Sequence, residues 1–492
     1  MLDRSTFPGP GEHDRFLATY WKAWLAILVC LGWSGVIAAA SDRPNFVVIL
    51  ADDLGAVDLG CYGADLHETP RLDGLAKESV LFRQAYASAP VCSPTRAALM
   101  TGKHPARVGI TIWAEGSLGG PQNRKLLQGE SKHDLPPAEM TLAERLHEAG
   151  YATGLVGKWH LGDGDHAPET QGFDVNIGGT RWGAPQTFFW PYRGSGRFGA
   201  EFRYLPGLPL GKPGDYLTDK LTDAALAFID SAGKQPFFLF LAHHSPHTPI
   251  EAPQPLVEHF QAKLRPDLKH QHAAYAAMVK SLDENVGRVL DHLKHRGLLE
   301  NTIVVFTSDN GGYIGIDRKG GFTAPCTNNF PLRSGKGSLY EGGIRVPLLV
   351  RCPGAKAGER TLPVTTCDLF FSLLAAAGLS PEADLPRDGI DLSGVVRDAQ
   401  TTVSRETLYW HYPHYYETTT PVSAVRAGDW KLLEYFEDGR RELFQLRDDP
   451  TEMQDLAATM PEKVAELSKQ LLAWRSEVDA KLPRPNPSYR GK

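Results

Sequence analysis

Cys92 stands directly before Ser93-Pro94-Thr95-Arg96, in a chain of 492 residues with six cysteines. A cysteine in that setting can be a packed thiol, half of a disulfide, a metal ligand, a nucleophile or the precursor of another group. Pro94 suits the first turn of a helix, and Ala97 to Met100 continue it. Cys92 is thus placed at a helix N-terminus, where free N–H groups and the helix dipole favour anions. Arg96 follows one turn on, on the same face. A thiolate nucleophile is conceivable there, but the local sequence supplies no base, and a bare thiol is a poor ligand for a hard cation.

Other groups that could join it sit at regular places. Asp52 and Asp53 follow the apolar run NFVVIL, and Asp309 and Asn310 follow TIVVFT. These oxygen donors suit Ca²⁺ or Mg²⁺, whereas zinc favours histidine or thiolate. Either pair alone could equally be a turn or a helix cap. Two such pairs at the ends of two buried strands are harder to dismiss, because carboxylates brought together need a cation to offset their repulsion. Lys158, His160, His247, Lys336 and Arg96 could surround a tetrahedral oxyanion. Lys336 lies in Arg-Ser-Gly-Lys-Gly, where glycine permits close approach of the backbone to a ligand. A solvated loop lysine and a structural loop histidine remain open readings for Lys336 and His247.

The elements that must position these groups follow from periodicity. Asn45–Leu50, Tyr151–Val156, Phe237–Ala242 and Thr302–Thr307 read as strands buried on both faces. Thr141–Ala149, the segment from Leu217 to Ile229, and Tyr275–Leu293 read as amphipathic helices between them. That alternation predicts an α/β fold, a mostly parallel sheet sandwiched by helices. In such sheets ligands bind beyond the carboxyl ends of the strands, where the candidate groups lie. After about residue 400 the character changes. Thr407–Tyr412, Val422–Ala427, Trp430–Phe436 and Glu442–Leu446 read as a short antiparallel sheet, and a last helix spans Pro461 to Leu482. The expected organisation is an α/β domain over 41–400 and a smaller α+β unit over 401–492.

Residues 1–40 read as a targeting segment. Trp24–Ala40 carries no charge, Lys22 precedes it, and Ala38-Ala39-Ala40 offers a cleavage site before Ser41. A membrane anchor is the alternative, although the run is short for a span. Export to the periplasm or medium, with no stable membrane insertion after cleavage, is the expectation. Beyond that segment five cysteines remain, Cys61, Cys92, Cys326, Cys352 and Cys367. The number is odd, so at least one stays unpaired. A net charge of −6 shows no basic excess that would point to nucleic acid.

Cys92-Ser93-Pro94-Thr95-Arg96 with Thr101-Gly102 resembles the consensus of the formylglycine-dependent (type I) sulfatases, the arylsulfatase family of the alkaline phosphatase superfamily. PNFVVILADDLG, GKWHLG, SPHTP, TSDNGG, GKGSLYEGGIRVP, RAGDWKLLEYF and ELFQLRDDP carry the resemblance from Pro44 to Asp455. It implies that a maturation enzyme converts Cys92 to formylglycine, whose hydrate is a geminal diol. It also implies one Ca²⁺ held by Asp52, Asp53, Asp309, Asn310 and the modified residue 92. Asp309 would be the base for attack on sulfur. Lys158, Lys336 and Arg96 would spread the developing charge, His247 would serve the leaving alcohol, and His160 would take the proton of the second hydroxyl as sulfate leaves. Two alternatives are a formylglycine-dependent phosphonate monoester or phosphodiester hydrolase, and a non-catalytic sulfoglycan-binding protein in which Cys92 stays unmodified. A sulfated carbohydrate is the expected substrate. The aromatic and arginine-rich stretch 181–205 is a candidate sugar-binding wall, or simply a cover over the core. By similarity, His411 and His414 border the substrate pocket.

Overall fold

Strand β1, Asn45–Ala51, is buried along its whole length. Alternate side chains point to opposite faces, and both faces are apolar. Phe46, Val48 and Leu50 enter one hydrophobic cluster, and Val47, Ile49 and Ala51 enter the other. A continuous β-branched run therefore forms an interior strand. The computed structural model describes residues 43–117, 123–381, 386–398 and 401–491. The targeting segment expected over 1–40 lies outside them. Among the described residues no helix is long and apolar enough to cross a membrane.

The further strands of this sheet are β2 (Val80–Phe82), β3 (Ala152–Gly157), β4 (Val175–Ile177), β5 (Phe237–Ala242), β6 (Thr302–Ser308), β7 (Leu348–Arg351) and β8 (Gly358–Arg360). Their order is β8-β2-β7-β6-β1-β5-β3-β4. Strand β7 runs antiparallel to both neighbours, and the remaining adjacent pairs are parallel. The sheet is mixed, with the four strands read from the sequence forming its parallel centre. The short edge strands are too brief for periodicity to reveal. Helices α1 (Cys92–Thr101), α2 (Leu142–Glu148) and α5 (Thr366–Ala376) cover one face, and α3 (Leu217–Ala232) and α4 (Ala273–His295) cover the other.

Register decides what the sheet presents. Leu50 lies beside Ala242 and Thr307, and Ala242 lies beside Gly157. The residues that follow these four strands therefore leave the sheet at one edge.

A second, antiparallel sheet is built from β9 (Thr407–Tyr412), β10 (Val422–Ala427), β11 (Trp430–Tyr435) and β12 (Arg441–Gln445). Both its faces are used. Leu408, Trp410, Ala424, Leu433 and Phe444 pack against Tyr86, Val91, Leu339 and Ile344 of the larger layer. Val425, Leu432 and Leu443 receive Val464, Leu467, Leu471 and Trp474 of α6, Pro461–Glu477. Helix α6 stops short of Leu482 because the chain turns at Asp479, which has a left-handed φ of 52°. The buried ammonium of Lys431 ties the layers together, 2.9 Å from Glu341 and 2.8 Å from Glu452. Arg43–Lys492 accordingly forms one compact unit.

Candidate active site

The four strand ends bring a polar cluster together beneath a cavity of about 300 Å³. Cys92 opens α1, a helix buried at every residue. Gly102 closes that helix at φ 67°, where a Cβ would stand 2.6 Å from the Phe370 ring. Only glycine fits that turn, which gives the Thr-Gly of the motif a packing role.

The Cys92 Sγ atom lies 3.5 Å from Asp52 Oδ1, 4.0 Å from Asp53 Oδ1 and 3.5 Å from Lys336 Nζ. Three carboxylates are matched one for one by three cationic side chains. Lys158 Nζ is 2.8 Å from Asp52 Oδ2, and Lys336 Nζ is 2.7 Å from Asp53 Oδ1. The guanidinium of Arg96 donates from Nε and Nη2 to Asp309 Oδ2 at 2.9 and 2.8 Å, and from Nη1 to the Lys158 carbonyl oxygen at 2.8 Å. Carboxylate repulsion is therefore met within the protein itself.

Burial and these pairings set the protonation of each group. Burial pushes the Asp52 carboxyl up to about 7, against the pull of Lys158. Burial also pushes Asp53 upward, but Lys336 and His247 outweigh it and hold the group below the usual carboxylate range. Asp309 is likewise held well down, by Arg96 first and then by Lys158 and Lys336, against the opposing effect of burial. The Cys92 thiol is pushed far up by burial, so it is not a thiolate at neutral pH. Burial lowers His160 to about 4 and His247 to about 3, leaving both imidazoles neutral.

Two site residues sit in the left-handed region, Asp53 at φ 64° and His160 at φ 62°. Such backbone costs of order 1 kcal/mol and persists where neighbours over-determine it. The Asp53 N–H donates to Asp309 Oδ1 at 3.2 Å, and Tyr275 donates to its carbonyl oxygen at 3.2 Å. The His160 N–H donates to the Thr180 carbonyl oxygen at 2.9 Å, and Ser93 Oγ donates to the His160 carbonyl oxygen at 2.8 Å. Gly183 lies against the His160 ring, where a Cβ would approach to 2.3 Å.

Asp52, Asp53, Asp309 and Asn310 are all oxygen donors, as hard divalent cations require. Asn310 donates from Nδ2 to Asp53 Oδ1 at 2.8 Å, while its buried Oδ1 has no hydrogen-bond partner. Ligand atoms of Asp52, Asp53, Cys92 and His247 lie within 4.8 Å of one another. An orphaned amide oxygen beside convergent carboxylates fits a cation site.

A sulfatase family model matches residues 44–379, and a model described as N-sulphoglucosamine sulphohydrolase, C-terminal, matches residues 335–477. The chain belongs to the sulfatase family. It is 34% identical over 435 residues to N-acetylgalactosamine-6-sulfatase of Canis lupus familiaris, covering 84% of this chain and 75% of that protein. It is also 34% identical over 494 residues to steryl-sulfatase of Mus musculus, covering 84% and 74%. Among solved structures, Ps i-CgsB in complex with k-i-k-neocarrahexaose superposes with a TM-score of 0.72 at 30% identity, covering 92% of this chain and 95% of that one. The protein is a sulfatase, and a phosphonate or phosphodiester hydrolase is not favoured.

In this sulfatase Asp53, Cys92, His160, His247 and Lys336 line the cavity. Arg96, Lys158, Asp52, Asp309 and Asn310 lie one layer beneath, fully buried. Arg96 directs its donors to Asp309 and to the Lys158 carbonyl oxygen. Sequence reasoning missed Trp113, Glu115, Thr248 and Tyr313, which complete the wall. Trp113 directly precedes, and Glu115 lies in, a short helix over Ala114–Ser117 that carries no chemical motif, while Thr248 lies in SPHTP and Tyr313 follows TSDNGG without being types that stand out there. Arg203, Phe198 and Gly183 come from the aromatic stretch 181–205, and Tyr416 from the aromatic cluster after β9. All five cysteines in the described residues are free thiols.

His411 does not border the cavity. Its Nδ1 pairs with Ser423 Oγ at 2.7 Å and its Nε2 with the Lys481 carbonyl oxygen at 3.1 Å. His414 pairs with Thr111 Oγ1 at 2.8 Å and lines an adjacent hollow. Burial lowers each to about 3. Their neutral form belongs to the fold, whereas the unfolded chain binds protons near pH 6.5. Stability therefore falls as pH drops from about 6.5 toward 3, by up to about 1.4 kcal/mol per pH unit for each group. Urea unfolding midpoints at pH 7 and pH 5 check this, and His411→Gln should flatten the dependence.

Proposed function

We propose that this sulfatase hydrolyses sulfate esters on a sulfated carbohydrate, with residue 92 acting as a formylglycine hydrate made by a sulfatase-maturating enzyme. The observation that carries the reading is the position of Cys92 Sγ, between the carboxylates of Asp52 and Asp53 and the ammonium of Lys336. A buried thiol held protonated has little use there as a nucleophile. Oxygens on the same carbon would be hydrogen-bonding and metal-binding groups at that point. Ca²⁺, when bound by Asp52, Asp53, Asp309, Asn310 and residue 92, supplies Lewis acidity that lowers the pKa of a hydroxyl and polarises the sulfuryl group.

The chain's own residues do the rest. Asp309, held ionised by Arg96, takes a proton from the attacking hydroxyl. Lys336 stays protonated beside Asp53 and faces the cavity, where it stabilises charge on the sulfuryl oxygens. Lys158 fixes Asp52 from below. His247 is anchored by its Nδ1 on the Thr248 carbonyl oxygen at 2.6 Å. That contact makes Nδ1 the donor and leaves Nε2 toward the cavity, 3.5 Å from Asp53 Oδ2. In the neutral ring Nε2 is bare, so it must first take up a proton from solvent, which the neighbouring Asp53 carboxylate favours against burial, before giving that proton to the leaving alcohol. His160, neutral, accepts the proton that is lost when the second hydroxyl collapses back to the aldehyde and sulfate departs.

A polar cavity wall of Glu115, Arg203 and His160, flanked by Trp113 and Phe198, suits a sugar better than a sterol. Similarity to an N-acetylgalactosamine-6-sulfatase and to a structure bound to k-i-k-neocarrahexaose supports the same reading. Export through the 1–40 segment would bring the enzyme to extracellular glycans. Mass spectrometry of the peptide holding residue 92 tests the nucleophile, since conversion removes roughly 18 Da. Activity should track the converted fraction, fall on chelation and return with Ca²⁺. An active enzyme with an intact thiol refutes the reading.

A further inference from the structure

The cavity wall also holds a carboxylate that the hydrolytic chemistry does not use. Glu115 Oε2 is buried and has no hydrogen-bond partner. Its other oxygen, Oε1, lies 3.5 Å from Arg203 Nη2. Arg203 is itself held in place. It donates from Nη1 to the Ala184 carbonyl oxygen at 3.2 Å, and its guanidinium lies 5.0 Å from the Trp182 ring centroid and 4.4 Å from that of Phe198. His160 Nε2 approaches Glu115 Oε2 only to 3.8 Å, too far for a hydrogen bond. The buried Oε2 thus faces the His160 ring, and it is Oε1, beside the clamped arginine, that the partly exposed side chain offers to the cavity.

We propose that Glu115, held by Arg203, is a specificity-determining residue that accepts a hydrogen bond from a free hydroxyl neighbouring the scissile sulfate ester and excludes a second anionic group at that position. This rests on the carbohydrate sulfatase reading above. The placement follows from His160. Its carbonyl oxygen is bound by Ser93, next to residue 92, and its ring reaches toward Glu115. Glu115 is therefore one side chain removed from the reacting centre, where a substituent on the adjacent sugar carbon would fall. Trp113 and Phe198 offer apolar surface to the sugar's C–H faces. Burial pushes the Glu115 carboxyl up, but His160 and Arg203 outweigh it and hold it at about 2, so it remains an acceptor and carries its charge throughout the working range. A carboxylate rewards a hydroxyl and repels a sulfate, so one group supplies both the attraction and the rejection.

Wild type, Glu115→Gln and Glu115→Asp, each as mature calcium-loaded enzyme, are compared on three probes. These are 4-nitrophenyl sulfate, the 4- and 6-monosulfates of galactose and N-acetylgalactosamine, and the corresponding 4,6-disulfates. The expected result is that Glu115→Gln lowers the monosulfate-to-aryl ratio of kcat/KM by about tenfold or more. It should also raise disulfate turnover relative to monosulfate, with Glu115→Asp intermediate. Melting temperatures and the aryl sulfate rate identify a variant that has lost its fold, and the Asp variant then carries the comparison. An unchanged ratio, or equal losses on sugar and aryl substrates with a shifted pH profile, overturns the assignment and makes Glu115 a partner of His160. Equal wild-type turnover of mono- and disulfates, or aryl activity with none on these sugars, overturns it too. A wild-type enzyme inactive on every sulfate ester instead removes the proposed function itself.

Discussion

Cys92→Ala lowers kcat/KM on an aryl sulfate by at least about 10⁴-fold, the scale of loss when a covalent nucleophile is removed. The fold should survive, because Cys92 packs as a small buried group at the start of α1 and makes only long polar contacts through its sulfur. Wild type made without a maturation enzyme should be equally inert, since burial pushes the thiol far above its ordinary range. Cys92→Ser separates the two halves of the cycle. A serine hydroxyl can accept sulfate, but it has no second hydroxyl to expel it. One equivalent of product should therefore form and turnover should then stop. Rapid-mixing kinetics on 4-nitrophenyl sulfate, with intact mass of the protein, measure both outcomes.

Arg96→Ala destabilises the protein by about 3–5 kcal/mol, the usual cost of stranding one member of a buried ion pair. Arg96 and Asp309 are 1% and 0% exposed as side chains. Removal leaves the Asp309 carboxylate in the same cluster as Asp52 and Asp53 with its two closest donors gone. Asp309 should then gain a proton near neutral pH. The pairing that holds it ionised in the folded state stabilises the fold above the ordinary aspartate range and is lost as pH falls through the lowered value. Between pH 8 and pH 5 the variant should therefore gain stability relative to wild type, because its folded state takes up a proton that the unfolded chain does not, whereas the wild-type pairing loses its contribution only below the ordinary aspartate range. Activity should fall by about 10³-fold, from loss of the base and of its placement. Arg96→Lys keeps the charge but cannot donate in parallel to Asp309 and reach the Lys158 carbonyl oxygen, so it should recover only part of either loss. Denaturant unfolding at pH 5 and pH 8, beside kcat/KM, reads all of these.

Much of the framework was legible because it rests on short-range physics. Strand Phe237–Ala242 was read at its full length, since six consecutive apolar residues between turn signals admit few other fates. Helix α2 begins at Thr141 with a reciprocal capping box to Glu144, a signal written in two side chains three residues apart. The antiparallel strand β7 escaped, because its four residues follow a loop and depend on β2 and β6 for pairing. His411 shows the opposite error. Its aromatic neighbourhood resembles a sugar site, yet the pairing of β9 with β10 sets it beside Ser423 and away from the cavity.

By itself the sequence determined which groups could meet. A parallel register forces Asp52, Lys158, Asp309 and the segment that leads to His247 to leave the sheet at one edge, whatever loops surround them. The specific motif at Cys92 then indicated which chemistry that edge serves. Only the tertiary structure decided which cation neutralises which carboxylate, which residues lie beneath the cavity and which line it. It alone placed Glu115 and Arg203, 88 positions apart in the chain, against each other. The reason is physical. Strand ends are positioned by backbone hydrogen bonds whose pattern repeats along the chain, whereas a loop side chain is positioned by whatever it packs against, and that is encoded nowhere near it.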